Sequence, residues 1–303
     1  MSLKGFWRLG GSCFTLLFAI LCTSSVQASE GTPEDLTWKS LKYAGSKFFI
    51  SLDTEVNVEM ISKEQAKGEL ITPKEGEGKA PISDKIVKIN VKNSVVGSDT
   101  DFTVWMEPDT TVLQRTSIYG GIKKWYRTYR FMTDKVYSDK RKPANGDEKD
   151  QPWSAWTDIA QGFFKLDDTE QKATISESEA LFYLIGTAGL KKTGDSAELN
   201  MYDRGGVIKA VVNVIGAKRV FVDYRINKDG ETTRVRKKVV ALEAVVDAKS
   251  IKEGGNLEKF KFLGYKDDVR LLIDPKLNAI LEISGAVEYV GDVTIRLENI
   301  TLN

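Results

Sequence analysis

Histidine is absent from this chain, and its two cysteines, Cys13 and Cys22, both fall within the first 28 residues. Those 28 residues read as a secretory signal. Lys4 and Arg8 precede a mostly apolar run from Leu9 to Cys22, and a polar stretch then ends in Val26-Gln27-Ala28, with small residues at the cleavage positions. The apolar run is shorter than the roughly 20 residues of a spanning helix. A lipoprotein signal fits poorly, because Leu21 stands directly before Cys22 and Cys13 precedes most of the apolar run. The expectation is cleavage near Ala28 and a soluble chain in the periplasm or outside the cell, with no transmembrane segment.

What remains has neither residue type. Without histidine there is no Ser-His-Asp or Cys-His arrangement, and without cysteine no thiolate nucleophile, redox pair or disulfide. Typical zinc sites draw on the same two side chains. No glycine-rich phosphate loop is present: Tyr119-Gly120-Gly121 lacks the lysine and hydroxyl that complete one, and reads as a turn. Asn145-Gly-Asp-Glu-Lys-Asp150 lacks the alternating acids and closing glutamate of a calcium loop. Asn299-Ile-Thr301 matches a glycosylation sequon by pattern only. No cofactor is expected. Removing Lys4 and Arg8 leaves 42 basic against 43 acidic side chains, so no global charge points to nucleic acid.

Carboxylate chemistry survives this inventory. Asp167-Asp168, Glu177 with Glu179, and Asp267-Asp268 are the visible clusters, and solvated surface or helix capping is the plain reading of each. A glycan hydrolase would need two of these acids about 5 to 9.5 Å apart in one cleft.

Period-two alternation dominates the rest. From Ile50 to Met60 the apolar Ile50, Leu52, Val56, Val58 and Met60 share one face and polar residues the other. Similar runs begin at Ile86, Phe102, Val112, Trp125 and Val136. Two hairpins are legible, one turning at Asp229-Gly230, a pair that accepts positive φ, and one turning at Gly291. Local hairpins imply antiparallel pairing. Ser176-Glu-Ser-Glu179 reads as a capping box opening a short helix at Ala180, and Ser154 to Phe164 reads as a second helix. Lys67 to Asp84 and Ser138 to Pro152 carry the Pro and Gly of long loops. Residues 29–303 are expected to form a single all-β domain: an antiparallel barrel-like or strongly curved sheet with one or two short helices.

Eight basic residues between Lys123 and Lys142 are interleaved with aromatics. In a strand, Lys124, Tyr126, Thr128 and Arg130 share one face, while Trp125, Arg127, Tyr129 and Phe131 share the other. The second reads as an aromatic-lined interior and the first as a solvated exterior. All five tryptophans after residue 28 lie before residue 157. Trp105, Tyr119, Trp125, Tyr129 and Phe131 are therefore the candidate ligand-binding residues.

Four segments together, Leu41-Lys-Tyr-Ala-Gly, Tyr119-Gly-Gly-Ile-Lys-Lys-Trp-Tyr-Arg-Thr-Tyr-Arg, Ser178-Glu-Ala-Leu-Phe-Tyr-Leu and Gly285-Ala-Val-Glu-Tyr-Val-Gly-Asp-Val-Thr-Ile-Arg-Leu, resemble in order the domain-of-unknown-function family numbered 3108. These are exported bacterial proteins. The resemblance implies a largely antiparallel, barrel-like sheet in the bacterial envelope, reminiscent of the half-barrels that carry lipoproteins, and it brings no catalytic residues. The expected function is non-enzymatic binding of an apolar or amphiphilic ligand in a lined cavity of several hundred Å³. The alternative is an envelope assembly or protein-interaction module without a small ligand, working through an apolar patch or an open sheet edge.

Overall fold

The computed structural model describes residues 32–47, 50–95, 98–121, 123–203, 206–252, 261–287 and 290–303. The signal segment expected over residues 1–28 lies outside them. The chain is mainly β, in one large curved sheet. In order it forms β1 (Trp38–Lys47), β2 (Ile50–Ser62), helix α1 (Lys63–Glu69), β3 (Lys85–Val95), β4 (Ser98–Met106), β5 (Val112–Tyr119), β6 (Trp125–Phe131), β7 (Lys135–Lys142) and β8 (Asp158–Lys165). Helix α2 (Asp168–Lys172), β9 (Ile175–Ser176) and helix α3 (Ala180–Thr187) follow. The remainder is β10 (Ser196–Asp203), β11 (Gly206–Lys228), β12 (Glu231–Ser250), β13 (Lys261–Phe262), β14 (Tyr265–Asp274), β15 (Ala279–Val287) and β16 (Gly291–Leu302). No helix among the described residues is long and apolar enough to cross a membrane.

Strands β1 to β8 form an antiparallel meander, and β1 joins β16 to continue the sheet through β15, β14, β12, β11 and β10 to β9. The long hairpin of β11 and β12 turns at Asp229 and Gly230, whose φ of 51° and 83° suit a two-residue turn of the mirror-image type. Its tip bends back so that Arg225 to Asn227 pair in parallel with Asn299 to Thr301 of β16. Strands β11, β12, β14, β15 and β16 thus close a ring, while β8 has no partner beyond β7 among the described residues. The sheet's two flanks also approach one another: Tyr129 and Phe131 of β6 meet Tyr202 of β10, with ring centroids 5.3 and 5.5 Å apart.

Helix α3 fills the curve. Ala-Leu-Phe-Tyr-Leu-Ile-Gly-Thr is apolar on nearly every side, and all but Leu184 are buried, as a helix enclosed by a sheet requires. Phe182 sits between Tyr43 of β1 and Phe262 of β13, at 6.1 and 5.4 Å between centroids.

The expected capping box is not what starts this helix. Ser176 belongs to β9, paired with Met201, and Glu179 takes the N-cap position without a side-chain cap bond. Its carboxylate is taken instead by an arginine of the sheet. A true box stands at Ser62: Gln65 N donates to Ser62 Oγ at 3.2 Å and Ser62 N to Gln65 Oε1 at 3.0 Å. It starts α1, so the first long loop begins only at Leu70. Ser154 to Phe164 is not helical beyond a single 3-10 turn at Trp153–Ala155, because Asp158 to Lys165 pair with β7 as β8. Likewise β7 runs through Lys142, and the second loop begins at Pro143.

The face of β6 expected to be solvated is covered. Tyr126, Thr128 and Arg130 are buried. Trp153 stacks flat on Tyr126 at 3.8 Å, and residues 70–84 run across Arg130 as a strap. Three buried side chains hold that strap. Gln114 Oε1 accepts from Ile71 N at 2.8 Å, and Glu107 accepts from Ile82 N and Ser83 N at 2.7 and 3.0 Å. Arg130 donates to the carbonyls of Ile71 at 3.1 Å, Lys79 at 2.8 Å and Leu113 at 2.7 Å. Glycine at position 78 permits this approach, since a Cβ there would stand 2.6 Å from Arg130 Nε. Burial without a carboxylate partner pulls the Arg130 pKa down to about 10. Arg130→Ala is expected to lower stability by about 1–3 kcal/mol in urea unfolding. It should also speed tryptic cleavage after Lys74, whose side chain is exposed but whose strap Arg130 pins.

Candidate functional site

The inner faces of β5 and β6 carry Arg115, Ser117 and Tyr119 opposite Tyr129, Arg127 and Trp125 in the ladder. Alternation places all six on the concave side, and β10 with the chain entering α3 closes over them. The result is a pocket of about 260 Å³ with Met201, Tyr202, Ile208, Glu177 and Lys261 among its walls. It is smaller and more polar than the cavity expected, because α3 occupies the rest of the curve.

Aromatic surfaces form one wall. Tyr119 and Trp125 stack at 3.6 Å, and the Arg127 guanidinium lies 5.3 Å from the Trp125 ring and 5.6 Å from Tyr129. A cation held over aromatic faces is kept flat and partly desolvated, with its N–H edge available. One edge is used, since Arg127 donates to Tyr129 Oη at 3.0 Å. Arg127 Nε is buried and has no partner.

The opposite wall is ionic. Arg115 forks onto Glu179, with Nη2 to Oε1 at 2.7 Å and Nε to Oε2 at 3.2 Å, and it also donates to Ser117 Oγ at 2.8 Å. Glu177 Oε2 stands farther from Arg115 Nε, at 3.4 Å. Burial opposes the charge of Arg115, but Glu179 and Glu177 together carry its pKa above the ordinary value. For Glu177 the balance is reversed. Burial raises its pKa well above 4.5, and the attraction of Arg115 does not offset this against the added repulsion of Glu179 and Asp203. Burial thus pushes Glu177 toward its protonated form, while Glu179 is the carboxylate that the Arg115 fork grips. Glu177 Oε1 has no hydrogen-bond partner, and neither has the nearby hydroxyl of Tyr202.

Three orphaned polar atoms, Arg127 Nε, Glu177 Oε1 and Tyr202 Oη, thus belong to residues lining one pocket. Buried polar groups are nearly always satisfied, so their concentration here marks a place built to receive something polar. A wider groove of about 530 Å³ crosses β1 to β5, but it is open and its Lys42–Glu55 and Ser94–Asp99 pairs are already made, at 3.1 and 2.7 Å. Asn93 Oδ1 is its one orphan among the described residues.

Of the five candidate residues, the pocket brings together Tyr119, Trp125 and Tyr129. Phe131 lies one step along the same face, behind Tyr202. Trp105 is elsewhere: it points outward from β4, its Nε1 donating to Glu69 at 2.7 Å, beneath Lys88. The plain reading of Glu177 and Glu179 as solvated is overturned, since both are buried. Asp167 does cap a helix, accepting from Thr169 N and Glu170 N at the start of α2. Arg115, Tyr202 and Lys261 were not legible as site residues. Arg115 alone carried a signal, as the single cation in the strand-like run from Val112 to Tyr119.

Breaking the ionic wall is predicted to be costly. Arg115→Met strips Glu179 of its counter-charge and should lower stability by about 3–5 kcal/mol. Glu177 has the opposite pH signature from a salt-bridged acid. Above the ordinary carboxyl value of 4.5 the unfolded chain releases this proton while the folded chain keeps it, so stability falls as pH rises from there toward the raised value. Glu177→Gln should flatten that slope and leave the protein at least as stable at neutral pH, checked by urea unfolding over a pH series. No family model, curated protein or solved structure matches this chain.

Proposed function

We propose that this is an exported, non-enzymatic binding protein whose pocket between β5, β6 and β10 takes the polar, anionic head of an amphiphile. The observation that carries this reading is the convergence of three unsatisfied buried polar groups on one aromatic-walled pocket. A Glu177 carboxyl pushed toward its protonated form by burial, a tyrosine hydroxyl and a guanidinium edge converge where an acceptor would sit. Arg127 brings a positive charge whose buried Nε has no acceptor, which favours a ligand of negative charge. Met201 and Ile208 supply an apolar wall, and Phe164 of β8, 41% exposed and 6.4 Å from Tyr129, offers a surface along which a chain could leave. Because α3 fills the curve of the sheet, the head is enclosed and the tail is not.

A non-enzymatic role is supported by the way the two glutamates are engaged. Glu179 is spent on the Arg115 fork, so the two glutamates do not form the pair of free carboxylates that glycoside hydrolysis uses. Export is supported by the order of charge, apolar run and small residues in 1–28.

One observation favours a second reading, a protein-interaction module. Among the described residues strand β8 is an unpaired edge whose central residues, Ile159 to Phe164, carry no charge and no proline, and natural proteins usually block such edges. Ile159 is 48% exposed there. A partner strand could extend the sheet at this position.

Native mass spectrometry and lipid extraction of protein purified from its own envelope separate the two. Recovery of a stoichiometric amphiphile, with affinity reduced at least about tenfold by Arg127→Ala, supports the first. An empty pocket together with one bound polypeptide, lost on Ile159→Lys, replaces it with the second.

A further inference from the structure

The β11–β12 hairpin carries a surface unlike the rest of the molecule. Between residues 217 and 240 the sequence holds eight cations and three anions, a net of +5 in a chain that is otherwise acidic after residue 28. One face of this hairpin is spoken for: Val222 and Tyr224 are buried in the core, with Val220, Ile226, Val235 and Val239 packed against it. Alternation therefore sends Arg219, Phe221, Asp223 and Arg225 outward on β11, directly opposite Val240, Lys238, Arg236 and Arg234 on β12.

Exposed apolar side chains occur singly on any protein surface. Here they are grouped. Phe221 is 58% and Val240 54% exposed, and the register makes them diagonal neighbours on the outward face. Lys238 stands opposite the first and Arg219 opposite the second. Further toward the tip Arg225 faces Arg234 directly, a like-charge pairing that strands ordinarily avoid. The only acid on this face, Asp223, is forked by Arg234 at 2.7 Å through both oxygens and approached by Arg236 at 3.7 Å. Even so the face keeps an excess of four positive charges around two apolar side chains.

We infer that the outward face of this hairpin docks on an anionic lipid bilayer, Phe221 and Val240 entering the interface while the surrounding arginines and lysine meet the headgroups. Apolar residues set among cations are what separates this surface from a purely electrostatic one: the charges attract any polyanion, but a nucleic acid backbone offers Phe221 nothing to enter. Charge near an anionic surface adds to the apolar insertion, and both terms are needed for stable attachment of a peripheral protein.

The test is flotation of the full mature chain with vesicles of phosphatidylcholine alone or mixed with phosphatidylglycerol, at low and high salt. The expected result is binding to the mixed vesicles only, weakened by salt. Phe221→Ser, at an exposed position where folding is undisturbed, should weaken it about tenfold. The double variant Arg219→Glu with Lys238→Glu should abolish it, with an unchanged thermal midpoint showing the fold intact. Equal binding to both vesicle types, or none to either, overturns the inference. So does tighter binding to a single-stranded oligonucleotide that Phe221→Ser leaves untouched.

Discussion

The fork from Arg115 to Glu179 holds the molecule's interior in place. It joins the concave face of β5 to the two residues that deliver the chain into α3, and α3 is the element around which the sheet curves. Buried ion pairs give little net stability compared with apolar packing, but they are strict about geometry, because either partner left alone is severely penalised. Placing one at the mouth of the curve fixes where the buried helix begins. It also fixes what stands beside the helix, since Glu177 is drawn into the same low-dielectric space with no full partner of its own. The pocket follows from that: it is the volume between an ionic wall set by Arg115 and an aromatic wall set by β6.

Much of the architecture was legible in the alternation of apolar and polar residues. The strands from Ile50 onward, the hairpin at Asp229 and Gly230, and the closing hairpin at Gly291 all follow local chemistry that needs no distant partner. The failures share a cause. Ser176 and Glu179 have the spacing of a capping box, yet a parallel bridge to β10 and a cation from β5 claim them instead. Asp158 to Lys165 has a helix-compatible composition and is a strand because β7 offers it an edge. In each case a contact from far along the sequence outweighed a local preference worth about 1 kcal/mol.

The site was half legible for the same reason. Parity along β6 put Trp125, Arg127, Tyr129 and Phe131 on one face, and that face is the interior. Parity could not say that the other face is interior too. Tyr126, Thr128 and Arg130 are covered by the strap and by Trp153, segments joined to them only through long-range contacts. Trp105 was grouped with the pocket by residue type alone, and its place on the outward parity of β4 separates it from Tyr119.

The pairing of β1 with β16 has a consequence in time. Trp38 to Ala44 bond to Arg296 to Leu302, and Asn303 reaches back to Leu36 and Thr37. The middle of the sheet is therefore assembled from the two ends of the described chain, and the meander of β1 to β8 stays without its neighbour until β16 docks. Contacts this distant make for slow folding. Until then the sheet is two halves with an open seam, and the hydrogen-bonding edge of β1 is available to any other strand that reaches it first.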